Sequence, residues 1–289
     1  MSAAPALNIE ELRQWIGRSE TRTDTVTAAP VAAMSATLDR EDPEPHSGTE
    51  LPPLWHWLYF LPLARQSEIG PDGHSRRGGF LPPVPLPRRM WAGGRFEFRQ
   101  PLRVGEDITR VSRITDISAK EGRSGRLVFV AVRHEISNAR GAALIEEHDI
   151  VYRDNPQPGA TAPKPQPAPT DAAFEREIVP DPVLLFRYSA LTFNGHRIHY
   201  DRPYVTEVEG YPGLIVHGPL LATLMLDLLR RSLPAARVAR FDFRAMRPVF
   251  DIHRFAVCGR PGSDGRVALW VRDHEGCLTT EASVELARP

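Results

Sequence analysis

The stretch Phe193–Asp201, FNGHRIHYD, gathers several side chains able to do chemistry. His199 titrates near neutrality, so it can take a proton and return it. Asn194 stands five residues before it and Asp201 two after it. Asn194 cannot accept a proton near neutral pH, but its amide can hold a water or a hydroxyl. Three readings are open: a catalytic loop, a metal site and an ordinary polar turn. A metal set would take His196, His199 and His217. A His-x-x-His pair on a loop lacks the helical spacing and fourth ligand of a zinc site, so no metal is expected.

A second feature follows in YPGLIVHGPLL, Tyr211–Leu221. An apolar run, Leu214–Val216, leads into a helix start at His217 and Gly218. Free N–H groups there can meet an oxyanion, with the helix dipole behind them. Gly218 carries no side chain, so a ligand can approach its backbone closely.

The elements that must position these groups are legible in outline. Pro219 suits a first helical turn, and Leu220, Leu221, Leu224, Met225, Leu228 and Leu229 cover most of the helix surface. A helix so apolar is buried. Arg230 and Arg231 suit the negative pole of its dipole, with Pro234 just beyond. Upstream, FRYSALTF reads as a short helix that Asn194 and Gly195 stop. The runs RFEFR, RVSRITDIS, RLVFVAVRHEIS and ALIEEHDIVYR read as antiparallel strands, with turns such as KEGRSG and NARGA. RFDFRAM, RFAVCG, VALWVRD and TTEASVEL are their equivalents further on. RFEFR and RFDFR share a pattern, and so do RLVFVAVRHE and RVALWVRDHE. The shared order points to an internal duplication. LPPLWHWLYFLPLA, Leu51–Ala64, takes the place of the buried helix in the first half and is read as core. NPQPGATAPKPQPAPTD, residues 155–171, has little to bury and reads as a linker between units at 1–154 and 172–289. An apolar helix wrapped by a curved antiparallel sheet, occurring twice, is an α+β double hotdog.

Composition narrows the function classes. The 289 residues are 42% hydrophobic, enough for a sizeable core. Lys+Arg and Asp+Glu are both 36, a balance that argues against a general nucleic-acid binder. Cys258 and Cys277 form no Cys-x-x-Cys pair and suit a reducing compartment, and Cys258 reads as buried in a strand. The N-terminal stretch is acidic with no apolar signal core, and no run approaches a membrane span. A cytoplasmic protein with no membrane or nucleic-acid partner is expected.

ALTFNGHRIHYDRPY and YPGLIVHGPLL resemble the hydratase motif of the MaoC-like (R)-enoyl-thioester hydratases and dehydratases. In that likeness His199 falls on the catalytic histidine. Asn194 falls on the catalytic aspartate, Phe193 on a glycine, and Gly218 on the glycine whose N–H polarises the thioester carbonyl. An Asn in place of the acid and Arg197 in place of a proline depart from the pattern. FNGHRIHYD, LPPLWHWLYFLP and PLPRRMWAGGRFEF look like a subgroup with an extra N-terminal hotdog. That subgroup includes 3-hydroxyacyl-thioester dehydratases and hydratases of mesaconyl-C4-CoA or itaconyl-CoA.

The resemblance implies addition of water to an α,β-unsaturated acyl-CoA, or its removal. That reaction needs a base for the water, a proton for Cα and a sink for enolate charge. His199 would serve as base and then acid, with Asn194 holding the water. The Gly218 N–H would stabilise the oxyanion, a contribution of about 3–4 kcal/mol. No cofactor is required. Arg197, two residues before the base, could fork onto a second carboxylate of a dicarboxylic acyl group, or equally pair with Asp201 or face solvent. His196 and His217 border the substrate as polar residues rather than reacting ones. Arg88 and Arg89 are candidates for the CoA phosphates, with an exposed basic turn as the alternative. The first half would supply the groove for acyl tail or CoA, and a homodimer of double hotdogs is compatible with the fold. Competing functions are a dehydratase working on acyl carrier protein, a thioesterase and a non-catalytic acyl-thioester binder. Asn194 supplies no base for the thioesterase.

Overall fold

The computed structural model describes residues 7–122, 125–155 and 164–287. The chain opens with α1 (Ile9–Arg13), β1 (Ser19–Thr25) and α2 (Ala28–Thr37). Four long strands follow: β2 (Arg88–Phe98), β3 (Asp107–Gly122), β4 (Gly125–Asn138) and β5 (Gly141–Arg153). The second half repeats the order with β6 (Phe174–Ile178), α3 (Pro182–Thr192), α4 (Gly218–Ser232), β7 (Val238–Ala245), β8 (Phe255–Pro261), β9 (Arg266–Arg272) and β10 (Leu278–Leu286).

All ten strands form one antiparallel sheet, in the order β1-β3-β4-β5-β2-β7-β10-β9-β8-β6. Read outward from the middle, each half has the same sequence of strands. The repeated motifs meet at the join: Phe96 of RFEFR stands directly opposite Phe241 of RFDFR. A pseudo-two-fold axis through that pair makes the sheet continuous, and a double hotdog results. The eight longer strands fall where alternation places them. The two sheet edges, SETRTDT and FEREI, carry three charged residues each, and of their side chains only Ile178 is buried. Charged edge strands resist pairing with another chain.

The helix α4 is buried from Leu220 to Leu229, as its apolar surface requires. Its partner in the first half is not the Trp-rich segment. LPPLWHWLYFLPLA forms only a short 3-10 turn, Trp55–Leu58. Leu54 and Phe60 on either side have left-handed backbone, φ 70° and 56°, and the flanking prolines allow no longer helix. The central helix of that half is α2, AAPVAAMSAT, favoured by its alanines. Arg230 and Arg231 do more than meet the dipole of α4. Arg230 pairs with Asp42, and Arg231 pairs with buried Asp227 and donates to the carbonyl oxygen of Leu38 at the end of α2. Arg40 and Arg176 also pair with Asp227, so this ion network fastens the two helices together.

The expected linker is only partly described, since residues 156–163 lie outside the described residues. Its later part is not free: Ala168 is buried against Cys258, Trp270 and Leu278, and Pro167 bridges to Cys277. Cys258 is buried, as its strand position implies. The tip of the KEGRSG turn, residues 123 and 124, also lies outside the described residues. Among the described residues no helix is long and apolar enough to cross a membrane.

Candidate active site

The loop that carries the histidines begins at a well-made helix. Asp181 caps α3 by accepting the Leu184 N–H at 2.8 Å, and Pro182 fills the first helical position. The helix ends one residue earlier than Asn-Gly suggests. Phe193 itself adopts left-handed backbone, φ 49°, and closes the cap. A bulky residue there is strained, and the strain sits where the resembling family has glycine. The turn frees Asn194 to start the loop. Its N–H donates to Ser189 O at 2.8 Å, and its Oδ1 accepts the His196 N–H at 3.0 Å. The side-chain NH2 of Asn194 is therefore the end left to face a ligand.

His199 follows on a 3-10 turn, Arg197–His199, and is buried. Its Nδ1 lies 2.7 Å from the carbonyl oxygen of Ile215. A carbonyl only accepts, so Nδ1 carries the hydrogen and the lone pair is on Nε2. Burial pushes the imidazole down to about 4, with the Ile215 bond opposing and the His74 imidazole adding to the shift. Neutral His199 with a bare Nε2 is the form a general base requires. His217 stacks on it, ring centroids 3.7 Å apart and planes 18° from parallel. The His217 Nε2 is 2.8 Å from Ser189 Oγ on α3, so the ring ties two helices together instead of capping α4.

Gly218 is the first residue of α4, where no carbonyl of the helix can reach the N–H. A Cβ added there would touch only the Trp91 ring, at 4.0 Å. Trp91 comes from β2 of the first half, and its Nε1 is a buried donor with no acceptor among the described residues. The expected oxyanion donor thus stands beside His199's neighbour His217 and against a wall supplied by the other half.

Arg197 is not the free clamp the sequence suggests. It pairs with Asp201 at 2.7 Å, donates to Pro71 O at 3.0 Å and lies over the Tyr204 ring at 4.1 Å. Four residues apart on a tight turn, Arg197 and Asp201 reach each other more readily than either reaches a ligand. Arg88 is likewise spent, and its segment is the start of β2 rather than a basic turn. It donates to Tyr211 Oη and to Glu209 O, both at 2.8 Å, and to Asn155 Oδ1 at 2.9 Å. Arg89, by contrast, is half-buried and in no ion pair among the described residues.

His196 does border the site, edge-on to His199 at 5.4 Å between centroids. On its other side, at 4.0 Å, is His74, which no motif had marked. His74 belongs to GPDGH, Gly70–His74, whose backbone presses on the loop that carries His196 and His199. Asp72 O accepts the Arg197 N–H at 2.9 Å. A Cβ on Gly73, φ +88°, would stand 1.8 Å from Gly195 O. The only sequence signal was a Gly-rich turn with a histidine, too common to read alone. Asp72, His74 and His196 offer ligand atoms within 4.8 Å of one another. Asp72 is already committed to the His74 N–H and Nδ1, and the Arg89 charge bears on both imidazoles, which opposes a cation there. The His196, His199 and His217 set is no better, since His199 Nδ1 and His217 Nε2 are tied to Ile215 and Ser189.

Beyond Trp91 the inner face of the first half carries a polar patch among its apolar residues. Register places Phe96, Glu146, His134 and Ser112 in one row across four strands. Glu146 is buried, 2.9 Å from His56 Nε2 and 3.2 Å from Trp57 Nε1. Burial pushes its carboxyl up, but the His56 hydrogen bond and nearby imidazoles outweigh this and leave it at about 2. His148 lies 4.5 Å from the Trp91 ring and is pushed down to about 4 by burial. His134, 2.7 Å from Ser112 Oγ, is pushed down to about 3 for the same reason. Alternation in ALIEEHDIVY does carry this signal, since Leu144, Glu146 and His148 share the inward side.

The pattern of the hydroxyacyl-thioester dehydratase type 2 family matches residues 54–251, which include the histidine loop and the start of α4. The chain belongs to that family. It is 48% identical over 275 residues to the mesaconyl-C4-CoA hydratase of Chloroflexus aurantiacus, covering 94% of this chain and 96% of the relative. Its fold is shared with a MaoC-like dehydratase of Phytophthora capsici, TM-score 0.68 at 14% identity, with 98% of each chain covered. A Mycobacterium tuberculosis protein described as a double hotdog superposes with TM-score 0.58 at 14% identity, covering 94% of this chain and 96% of that one. The chain is a hydro-lyase of acyl thioesters.

Proposed function

We propose that the chain hydrates a short dicarboxylic enoyl-CoA of the mesaconyl-C4-CoA type, giving a citramalyl-CoA product. The observation that carries this reading is the polar patch beyond Trp91. A fatty chain led past Trp91 would meet buried Glu146 with His134 and His148 there, polar side chains in place of an apolar lining. The named activity of the Chloroflexus relative points the same way.

In the proposed reaction the Gly218 N–H receives the thioester oxygen. The Asn194 NH2 and His199 Nε2 hold the water. His199 takes one proton as the water oxygen bonds to Cβ and the double-bond electrons move to the thioester oxygen. The enolate then collapses, and His199 returns its proton to Cα. All atoms of one water end on the product, and the base is regenerated. Neutral His199 suits the first step, and charge developing on the oxyanion supports the imidazolium in between.

Units at 1–154 and 172–289 would divide the labour, with the second doing chemistry and the first reading the acyl group. The free cysteines suit a cytoplasmic setting, and two such chains could pair as a homodimer. The test is a mass-spectrometric screen with mesaconyl-C4-CoA, itaconyl-CoA, crotonyl-CoA and a medium-chain enoyl-CoA, run beside His199→Ala. Gain of one water on a dicarboxylic substrate, falling by about 10³-fold in the variant, is expected. Faster hydration of the monocarboxylic chains would overturn the substrate reading.

A further inference from the structure

We infer that Arg89 is the residue that receives the substrate's free carboxylate and so sets selectivity for dicarboxylic acyl groups. This rests on the reading above and goes beyond it, by assigning the recognition to one side chain.

The argument begins with position. Arg89 stands opposite Tyr152 in the β2–β5 ladder, and Trp91 stands opposite Ile150. Residues two apart on a strand share a face, so Arg89 and Trp91 project to the same side of the sheet. Trp91 is the residue that touches the Gly218 position. Arg89 therefore lies one strand-step from the expected thioester site, on the side covered by the His74 turn. The Arg77 guanidinium lies over the Tyr152 ring at 5.3 Å, which marks how closely that turn packs on this part of the sheet.

The second observation is pairing. Arg77 is held by the carbonyls of Val84, Leu86 and Pro87. Arg88 and Arg197 are held by Glu209 and Asp201. Arg89 is half-buried and has no carboxylate partner among the described residues. A half-buried guanidinium without an anion carries a desolvation cost that the Tyr152 hydroxyl beside it offsets only in part. Two residues on, Trp91 Nε1 is a buried donor lacking an acceptor. A cation with no anion and an unpartnered donor thus face one region.

The third observation is charge. Burial keeps His74, His196 and His148 neutral, and the Arg89 charge adds to this in each case. Asp72 is committed to His74. Arg89 is thus the unpaired positive charge beside the histidine file that leads to His199.

Chemistry then fixes what it would take. In mesaconyl-C4-CoA the free carboxylate is bonded to Cβ, the carbon that water attacks. Its receptor must therefore stand next to the base. A guanidinium forks onto a carboxylate bidentately and stays charged across the working pH range. A phosphate of CoA, at the far end of a long pantetheine arm, would need its cation at the mouth instead.

The experiment compares Arg89→Gln and Arg89→Lys with wild type. One readout is the ratio of kcat/KM for mesaconyl-C4-CoA over crotonyl-CoA. The other is the ratio of affinities for two unreactive probes, succinyl-CoA and butyryl-CoA. We expect both ratios to fall about 100-fold in Arg89→Gln, the scale of a lost partner in a desolvated charge pair. Arg89→Lys should recover part of the loss, because it restores charge without the fork. Equal loss on both substrates, with both ratios unchanged, would overturn the assignment and return Arg89 to CoA or to structure. Wild type that ignores mesaconyl-C4-CoA yet hydrates crotonyl-CoA would instead overturn the substrate reading itself.

Discussion

The two halves of the sheet are built alike and filled differently. In the second half the row through Phe241 continues with Val284 and Val267, and α4 lies across that face. In the first half the matching row through Phe96 continues with Glu146 and His134. The helix α2 there has 10 residues against 15 in α4. A short helix leaves part of its sheet without an apolar cover, and the sequence fills that part with imidazoles and a carboxylate. One copy of a duplicated unit thus keeps an all-apolar row and carries the histidine loop. The other sets a polar patch within its core, next to Trp91.

The comparison can be broken most severely by exchanging the rows. Val284→Glu would bury a carboxylate with no imidazole to receive it. We expect a loss of about 4 kcal/mol or more, seen as failure to fold or a collapse of Tm. The reverse change, Glu146→Val, strands His56 and the Trp57 N–H and should cost about 1–3 kcal/mol, measured by urea unfolding. Equal costs for the two would mean that the halves do not differ as described.

A smaller break tests the contact between the halves. Gly73→Ala places a methyl against Gly195 O and into left-handed backbone. The catalytic loop must shift, and a displacement near 1 Å costs about 100-fold in rate. We expect kcat to fall by about that factor with the far-UV spectrum unchanged. Unaltered kcat would show that the GPDGH turn does not position the loop.

The gentlest test is pH. His199, His148 and His134 have folded values of about 4, about 4 and about 3, below the ordinary imidazole value. The unfolded chain binds more protons than the folded one between those values and about 6.5, so stability rises with pH across that window. Glu146, held at about 2, adds loss of the same sign as pH falls below its ordinary carboxylate range. Activity needs neutral His199, so kcat/KM should stay level down to about pH 5 and decline toward 4. A limb centred near 6.5 would mean that His199 is solvated and unlike the buried group described.

Much of this was legible in the residues. Alternation gave the eight longer strands, and RFEFR and RFDFR announced the join they form. The placement of His199 and Gly218 was readable because their surroundings are local: a loop after a helix and a start before one. Arg197 left more than one course open because sequence shows neither partner nor direction, and pairing with Asp201 is the one the structure takes. The first-half helix was misplaced because aromatic density in LPPLWHWLYFLPLA outweighed its prolines, while AAPVAAMSAT has no strong apolar stripe. The edge strand SETRTDT lacks the apolar alternation that marks a strand, and FEREI, with only Phe174 and Ile178 apolar, is too short to show it. His74 was invisible because its role arises from contact between segments more than a hundred residues apart in the chain.

The most direct measurement is a crystal structure with succinyl-CoA, which cannot be hydrated. We expect the thioester oxygen on the Gly218 N–H, His199 Nε2 facing the acyl chain, and the acyl group lying over Trp91 toward the first half. An acyl group lodged wholly among second-half residues, away from Trp91 and the polar row, would contradict the division of labour between the halves.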